Sequence, residues 1–297
     1  MKPRTPRRHA FVCLIVGSVI AAASAAGFAT DPPAAPVSLT YRFRPDETVV
    51  MTVSHRARTE TTISGTTQTT ETSTDSRKRW RVVSVDADGR STIEHSVDQV
   101  TMTSRTSDRG EVRWNSDGDD PPPPGYEAVR GSLGVPLSRV VIDPAGRVIS
   151  RVDLQPTPPS ASGDLMVVPL PDGEVEVGTE WSVPQEVVVE VPGGPRRSVR
   201  TRLRYRLQSV RDDVAVIAID TTVLTPIEDP RLESRLLERI WNGEIEFDIP
   251  SGRVIRRSTG IDRRVVGFSG QESSVRYRSS LEERLVSDDV RSPTRTE

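Results

Sequence analysis

Cysteine is all but missing from this chain: one among 297 residues, Cys13, inside an apolar N-terminal run. The remainder can form neither a disulfide framework nor a thiolate zinc site, so a packed core has to hold it together. Lysine is nearly as scarce, at Lys2 and Lys78 only, and arginine carries the basic charge. That bias reads as coding preference before it reads as anion binding, because surface composition is a weak guide to function. Of three histidines, only His55 and His95 lie beyond the N-terminal segment. His55 continues the strand face of Met51 and Val53, and His95 that of Ile93 and Val97, which makes both core positions. Gly-x-Ser-x-Gly, His-Glu-x-x-His and phosphate-loop patterns are absent, so the sequence implies no cofactor, no metal and no catalytic residue.

What is present begins with an address. Lys2, Arg4, Arg7 and Arg8 precede the run "AFVCLIVGSVIAAASAA". Charge, a short apolar core and Ala23-Ser24-Ala25 in that order predict a secretory signal over residues 1–25. The run falls short of the roughly 20 residues a spanning helix needs, and no later segment is long and apolar enough. Retention as an uncleaved anchor is the alternative. Cys13 stands near the start of the run rather than at its end, which argues against acyl anchoring. Loss of four positive charges with the signal moves the formal balance from −2 to −6. Such a protein is no general trap for nucleic acid.

The dominant pattern beyond the signal has period two. "VSLTYRFRP" sets Val37, Leu39, Tyr41 and Phe43 against Ser38, Thr40, Arg42 and Arg44. In "VRTRLRYRLQSV", Val199, Leu203, Tyr205 and Leu207 alternate with arginines. Each segment buries one face and wets the other, as antiparallel strands do. "DPAG" at Asp143–Gly146 and "DADG" at Asp86–Gly89 supply hairpin turns, with "PGGP" at 192–195 a third. "DPRLESRLLERIWNG" predicts a helix capped by Asp229 and ended by Gly243, with an extended strand through Leu237, Trp241, Ile245 and Phe247 as the alternative. "YEAVRGSLG" predicts one or two helical turns.

The halves repeat each other. "RKRWRVVSV" (77–85) matches "RLRYRLQSV" (202–210), placing Trp80 over Tyr205, and "IDPAGRVIS" matches "FDIPSGRVIR". The predicted fold is therefore all-β: duplicated antiparallel units forming one curved sheet, half-barrel or sandwich, with one or two short helices. The boundaries are a first β repeat over 36–155, a Pro/Ser-rich connection over 156–169, a second repeat over 170–286 and a disordered tail over 287–297. Equivalence predicts positive φ at Gly146 and Gly252 and burial of Val148 and Val254. The polar stretch 58–77 has no apolar face to fix its register and is expected to project as a poorly anchored hairpin.

Three segments together carry a resemblance: "LTYRFRPDETVVMTV", "GVPLSRVVIDPAGRVIS" and "LPDGEVEVGTEW" with Gly178-x-x-Trp181. In these the chain resembles a family of secreted bacterial β-rich proteins of unknown function. The resemblance implies export and a β-rich fold and supplies no site residues.

Chemistry is sparse. "NSDGDD" only partly echoes a calcium loop, with Asp120 and Tyr126 where glycine and glutamate belong, and reads as an acidic turn. Asp143 and Asp248 sit beside tight turns, where an aspartate caps its own loop. Arg200, Arg202, Arg204 and Arg206 share one strand face and form a candidate polyanion-binding rail, with Glu186 and Glu190 positioned to neutralise it. The reading that follows is an exported, non-enzymatic cell-envelope protein, a binding or structural module with a groove for an apolar or lipid-like ligand. The alternatives are a hydrolase with a dispersed site and a polyanion- or polysaccharide-binding protein using the arginine strand. Candidate partners are a lipid, a glycan or an envelope protein, in the periplasm or outside the cell.

The signal predicts that the exported form begins at about Ala26 and carries no thiol. N-terminal sequencing and thiol titration check this, and an intact Met1 in the exported protein would overturn it.

Overall fold

The computed structural model describes residues 35–155, 167–190, 194 and 196–288. The expected signal peptide lies outside these residues, as do Cys13, positions 156–166 of the connection, most of the "PGGP" turn and positions 289–297 of the tail.

The strands are β1 (Val37–Ser38), β2 (Thr48–Ile63), β3 (Thr66–Val85), β4 (Ser91–Thr106), β5 (Gly110–Asn115), β6 (Ser138–Ile142) and β7 (Val148–Asp153). After the connection come β8 (Glu174–Val175), β9 (Glu180–Glu190), β10 (Arg196–Arg211), β11 (Val214–Val223), β12 (Asn242–Asp248), β13 (Arg253–Val266) and β14 (Ser273–Asp288). Two short helices, α1 (Glu127–Gly131) and α2 (Pro230–Leu236), interrupt them. All but β1 and β8, which pair with each other, join one antiparallel sheet in the order β7-β6-β4-β3-β2-β14-β13-β12-β11-β10-β9, with β5 also on β4. The sheet is curved and does not close into a barrel.

Register shows the duplication. Trp80 stands opposite His95 and Val82 opposite Ile93, with a bulge between Val82 and Ser84. In the second copy Tyr205 stands opposite Ile219 and Leu207 opposite Ile217, with the bulge between Leu207 and Ser209. The next hairpins agree too. Ile142 faces Val148 across a bulge after Val141, and Phe247 faces Val254 across a bulge after Glu246. A bulge costs a ladder bond and bends the strand, so finding it at the same position twice marks one inherited unit.

Both turns are capped as an aspartate at their start dictates. Asp143 Oδ1 accepts the Arg147 amide at 2.8 Å, and Asp248 Oδ1 accepts the Ser251 amide at 2.8 Å. Gly146 and Gly252 have φ of 76° and 65°. Val254 packs on the core, but Val148 is 52% exposed, against expectation. Its strand β7 is an outer edge and is exposed along its whole length, whereas the equivalent β13 is covered by β14.

One core joins both copies. Trp80, Val82, Ile93 and Ile142 pack in the same cluster as Tyr205, Leu207, Ile217, Ile245 and Phe247. Leu39 and Tyr41, from the segment before β2, fill the space between them with Val167, Val168 and Leu170. Tyr41 N–H donates to Pro144 O at 2.8 Å and Arg42 N–H to Gly252 O at 3.3 Å, so adjacent residues touch the two equivalent turns. The Tyr41 hydroxyl donates to Val168 O at 3.1 Å and accepts from Val168 N–H at 2.8 Å. Burial pushes its phenol above the ordinary range, opposed by the bond to Val168.

The polar hairpin 58–77 does not project. β14 pairs with β2 from Ser273–Ile63 to Asp288–Val49, and β4 pairs with β3 from Thr70–Thr106 to Val85–Ser91. A backbone ladder on both sides fixes a register that side chains alone would leave open. The predicted helix is shorter than its pattern. It ends at Leu236, passes through a 3-10 turn at Leu237–Arg239, and Trp241 leads straight into β12. Gly243 is no cap but a strand residue opposite Thr259, where a side chain would collide with the Ser258 carbonyl.

A Cβ at Gly146 would lie 2.5 Å from the Tyr41 ring and 2.7 Å from Val168 O. One at Gly252 would lie 2.5 Å from Thr40 O and 2.8 Å from the Arg42 nitrogen. Gly146→Val and Gly252→Val should each destabilise by roughly 2–4 kcal/mol, left-handed strain and overpacking together. Gly65, with φ of 81° and nothing within 4 Å, is the control. Gly65→Val should cost only about 1–2 kcal/mol. Urea unfolding midpoints that put all three variants level would contradict this account of the turns.

Candidate functional site

Helix α2 lies over the core face of the sheet because its apolar residues divide between two packing surfaces. Leu236, with Leu232 and Ile240, meets Val189 and Val199 on β9 and β10. Leu237 turns the other way, onto Val265, Val275 and Tyr277 of β13 and β14. The Asp229 carboxylate accepts the Arg231 amide at 2.9 Å and fixes the start of the helix.

Between this segment and the sheet a cleft of about 670 Å³ remains. Leu237, Val275, Tyr277 and Phe268 give it an apolar floor, and Thr59 and Thr61 of the polar hairpin form one wall. Arg231, Ser234, Arg235 and Glu238 stand at its rim. Burial raises the Tyr277 phenol above its ordinary value, against a hydrogen bond with Ser279 that lowers it. The floor therefore carries no charge near neutral pH. Its size falls within the ~300–1,000 Å³ of small-molecule sites.

Two other concavities lie on the charged face. One of about 520 Å³ includes Arg58, Glu71, Asp262 and Arg278 in its walls. There Arg58 pairs with Glu60 and Glu71, Arg278 with Glu60 and Arg276 with Asp262. These arginine bonds hold the Glu60 and Asp262 carboxyls below their usual range. Charges satisfied across neighbouring strands leave little for a ligand. The other, of about 440 Å³, lies beside Thr52, Asp75, Gln99 and Asp117, where Gln99 donates to Asp117 at 2.9 Å.

The predicted rail is on the solvent face of β10, with Arg200, Arg202, Arg204 and Arg206 all exposed. Acidic residues meet it from both neighbours. Arg200 stands opposite Glu186, Arg206 opposite Glu180, and Arg204 Nε donates to Asp220 at 2.9 Å.

The structure makes one contact that sequence spacing could not reveal. His55 Nε2 and Ser279 Oγ are 2.9 Å apart, on β2 and β14. A serine beside a histidine is the start of a nucleophilic site, but the chemistry also needs donors aimed at a developing oxyanion. Ser279 is mid-strand, paired with Ala57 on one side and Ile261 on the other, so the amides around it belong to the ladder. The pair reads as a structural bond across two strands. Asp143 and Asp248 cap their own turns, and His95 is buried in register with Trp80 and Ser138. Among the described residues no three His, Cys, Asp or Glu side chains group as a metal would require, and no helix is long and apolar enough to cross a membrane.

No protein-family model matches the sequence, and the search of curated proteins returns no match. Solved structures similar in part include lipovitellin, from a study of its lipid–protein interactions, at 15% identity and a TM-score of 0.49. That likeness covers 86% of this chain and 26% of the lipovitellin chain, so this protein spans about a quarter of it. DynF from the dynemicin biosynthesis pathway of Micromonospora chersina (8% identity, TM-score 0.20) is matched over 91% of this chain and 92% of that one. The translocator domain of the autotransporter NalP from Neisseria meningitidis (9%, 0.22) is matched over 81% and 89%. At such scores none of the three carries an argument about what this chain does.

With Arg204 paired to Asp220 and Arg200 and Arg206 standing opposite Glu186 and Glu180, the rail should give no retention on heparin at physiological salt, and Arg202→Gln with Arg204→Gln should leave elution unchanged. Salt-sensitive retention abolished by those substitutions would instead establish a polyanion site.

Proposed function

We propose that this is an exported, non-enzymatic binding protein of the cell envelope whose cleft beneath α2 takes an apolar or lipid-like ligand. The observation that carries the reading is the cleft itself: an apolar strip of Leu237, Phe268, Val275 and Tyr277 inside a cleft with polar walls and a charged rim. Leu237, Val275 and Tyr277 are well buried, but the same floor opens toward Thr59, Thr61 and the turn holding Phe268. A ligand that covers this strip removes its remaining apolar surface from water. The export half of the reading rests on the signal-like N-terminus and on the resemblance to secreted β-rich proteins.

Titration with a neutral solvatochromic dye tests the binding half. Phe268→Glu puts a charge on the floor from an adaptable turn, and Thr61→Trp fills the wall. Each should weaken dye binding roughly tenfold, the value of one well-buried aromatic contact. Binding unaffected by both changes, or no dye binding to the wild type, would rule out the cleft.

A further inference from the structure

We propose that the ligand of this cleft is a single-chain amphiphile with a monoanionic head, a long-chain carboxylate, whose head group meets Arg231 and Arg235 while its tail lies along Leu237, Phe268, Val275 and Tyr277. This rests on the cleft being the binding site. Four features support it. First, Arg231 and Arg235 are four residues apart on α2, hence on one face of it, and both line the cleft. Second, neither takes part in an ion pair among the described residues. On the charged face of the sheet, by contrast, Arg56, Arg58, Arg204, Arg256, Arg276 and Arg278 are all matched to carboxylates.

Third, beyond the rim Leu237, Phe268, Val275 and Tyr277 line up as an apolar strip along which a tail can lie, and among the described residues no charged side chain lines the cleft there. Fourth, Glu238 shares the rim. Two arginines and one glutamate leave a net single positive charge, which suits a carboxylate better than a phosphate dianion. A planar guanidinium pairs with a carboxylate through two parallel hydrogen bonds, and paired arginines add direction to that attraction. The volume fits one acyl chain within the usual small-molecule range.

The test displaces a fluorescent polyene fatty acid from the mature chain with palmitate and, separately, with hexadecanol, which has the same chain without the charge. Palmitate should compete at least tenfold better. Arg231→Gln with Arg235→Gln should remove that preference while leaving hexadecanol unchanged, and Glu238→Gln should tighten palmitate. These side chains are exposed, and circular dichroism will verify the fold of each variant. Equal competition by palmitate and hexadecanol would overturn the head-group assignment while leaving the cleft as the apolar site. Failure of both to compete, in a protein that also ignores the neutral dye, would remove the cleft reading with it. Binding to anionic phospholipid vesicles without displacement by palmitate would also overturn the proposal, in favour of a membrane surface.

Discussion

Two adjacent amides hold the curvature of this molecule. In sheet order, the turn between β6 and β7 and the turn between β12 and β13 are six strand positions apart. At about 4.8 Å per strand, a flat sheet would separate them by roughly 29 Å. Yet Tyr41 bonds one turn and Arg42 the other, so the sheet has to bend until both reach a single extended segment. That bend brings the core faces of the two copies together, and Trp80 and Tyr205 share one cluster as a result. The glycines at both turns are needed because the segment passes against their backbone. The deep end of the fold is apolar because it is closed by this segment, and the opposite end is left for α2 to cover in part.

The interior is not wholly apolar. Arg257 and Glu283 are buried and paired across β13 and β14, with Lys78 3.5 Å from the same carboxylate, and Arg253 pairs with Glu47 near the clamped segment. Ion pairs of this kind recover their desolvation cost only with close geometry, so they add more to the choice of register than to stability. Here they sit on or beside the seam where the copies meet, at β14, the strand that neither copy duplicates.

The sequence was most legible where one strand announced its own faces. The alternation in β10 was read residue by residue, and the two turns followed from Asp143, Gly146, Asp248 and Gly252. What could not be read was pairing over long separations. The hairpin 58–77 is polar on both faces, so nothing local says that β14, some 220 residues away, lies beside it. Its threonines face the cleft and solvent rather than the core, which is why the apolar half of the pattern is missing. Val148 misled for the same reason: its equivalent Val254 owes its burial partly to the strand beyond it. The cleft had a partial signal, since Leu232, Leu236 and Leu237 marked α2 as packed. Leu237 and Tyr277 meet only in the folded chain. The contact of His55 with Ser279 had no sequence signal at all.

β14, the last strand among the described residues, occupies the middle of the sheet between β2 and β13, so the two copies are joined only when it is in place. β2 has β3 to pair with early, but its other edge stays open until residues 273–288 arrive. Contacts of such sequence separation form slowly, since a loop nearly as long as the chain has to close first. Until that loop closes, the free edge of β2 stands open to other partners.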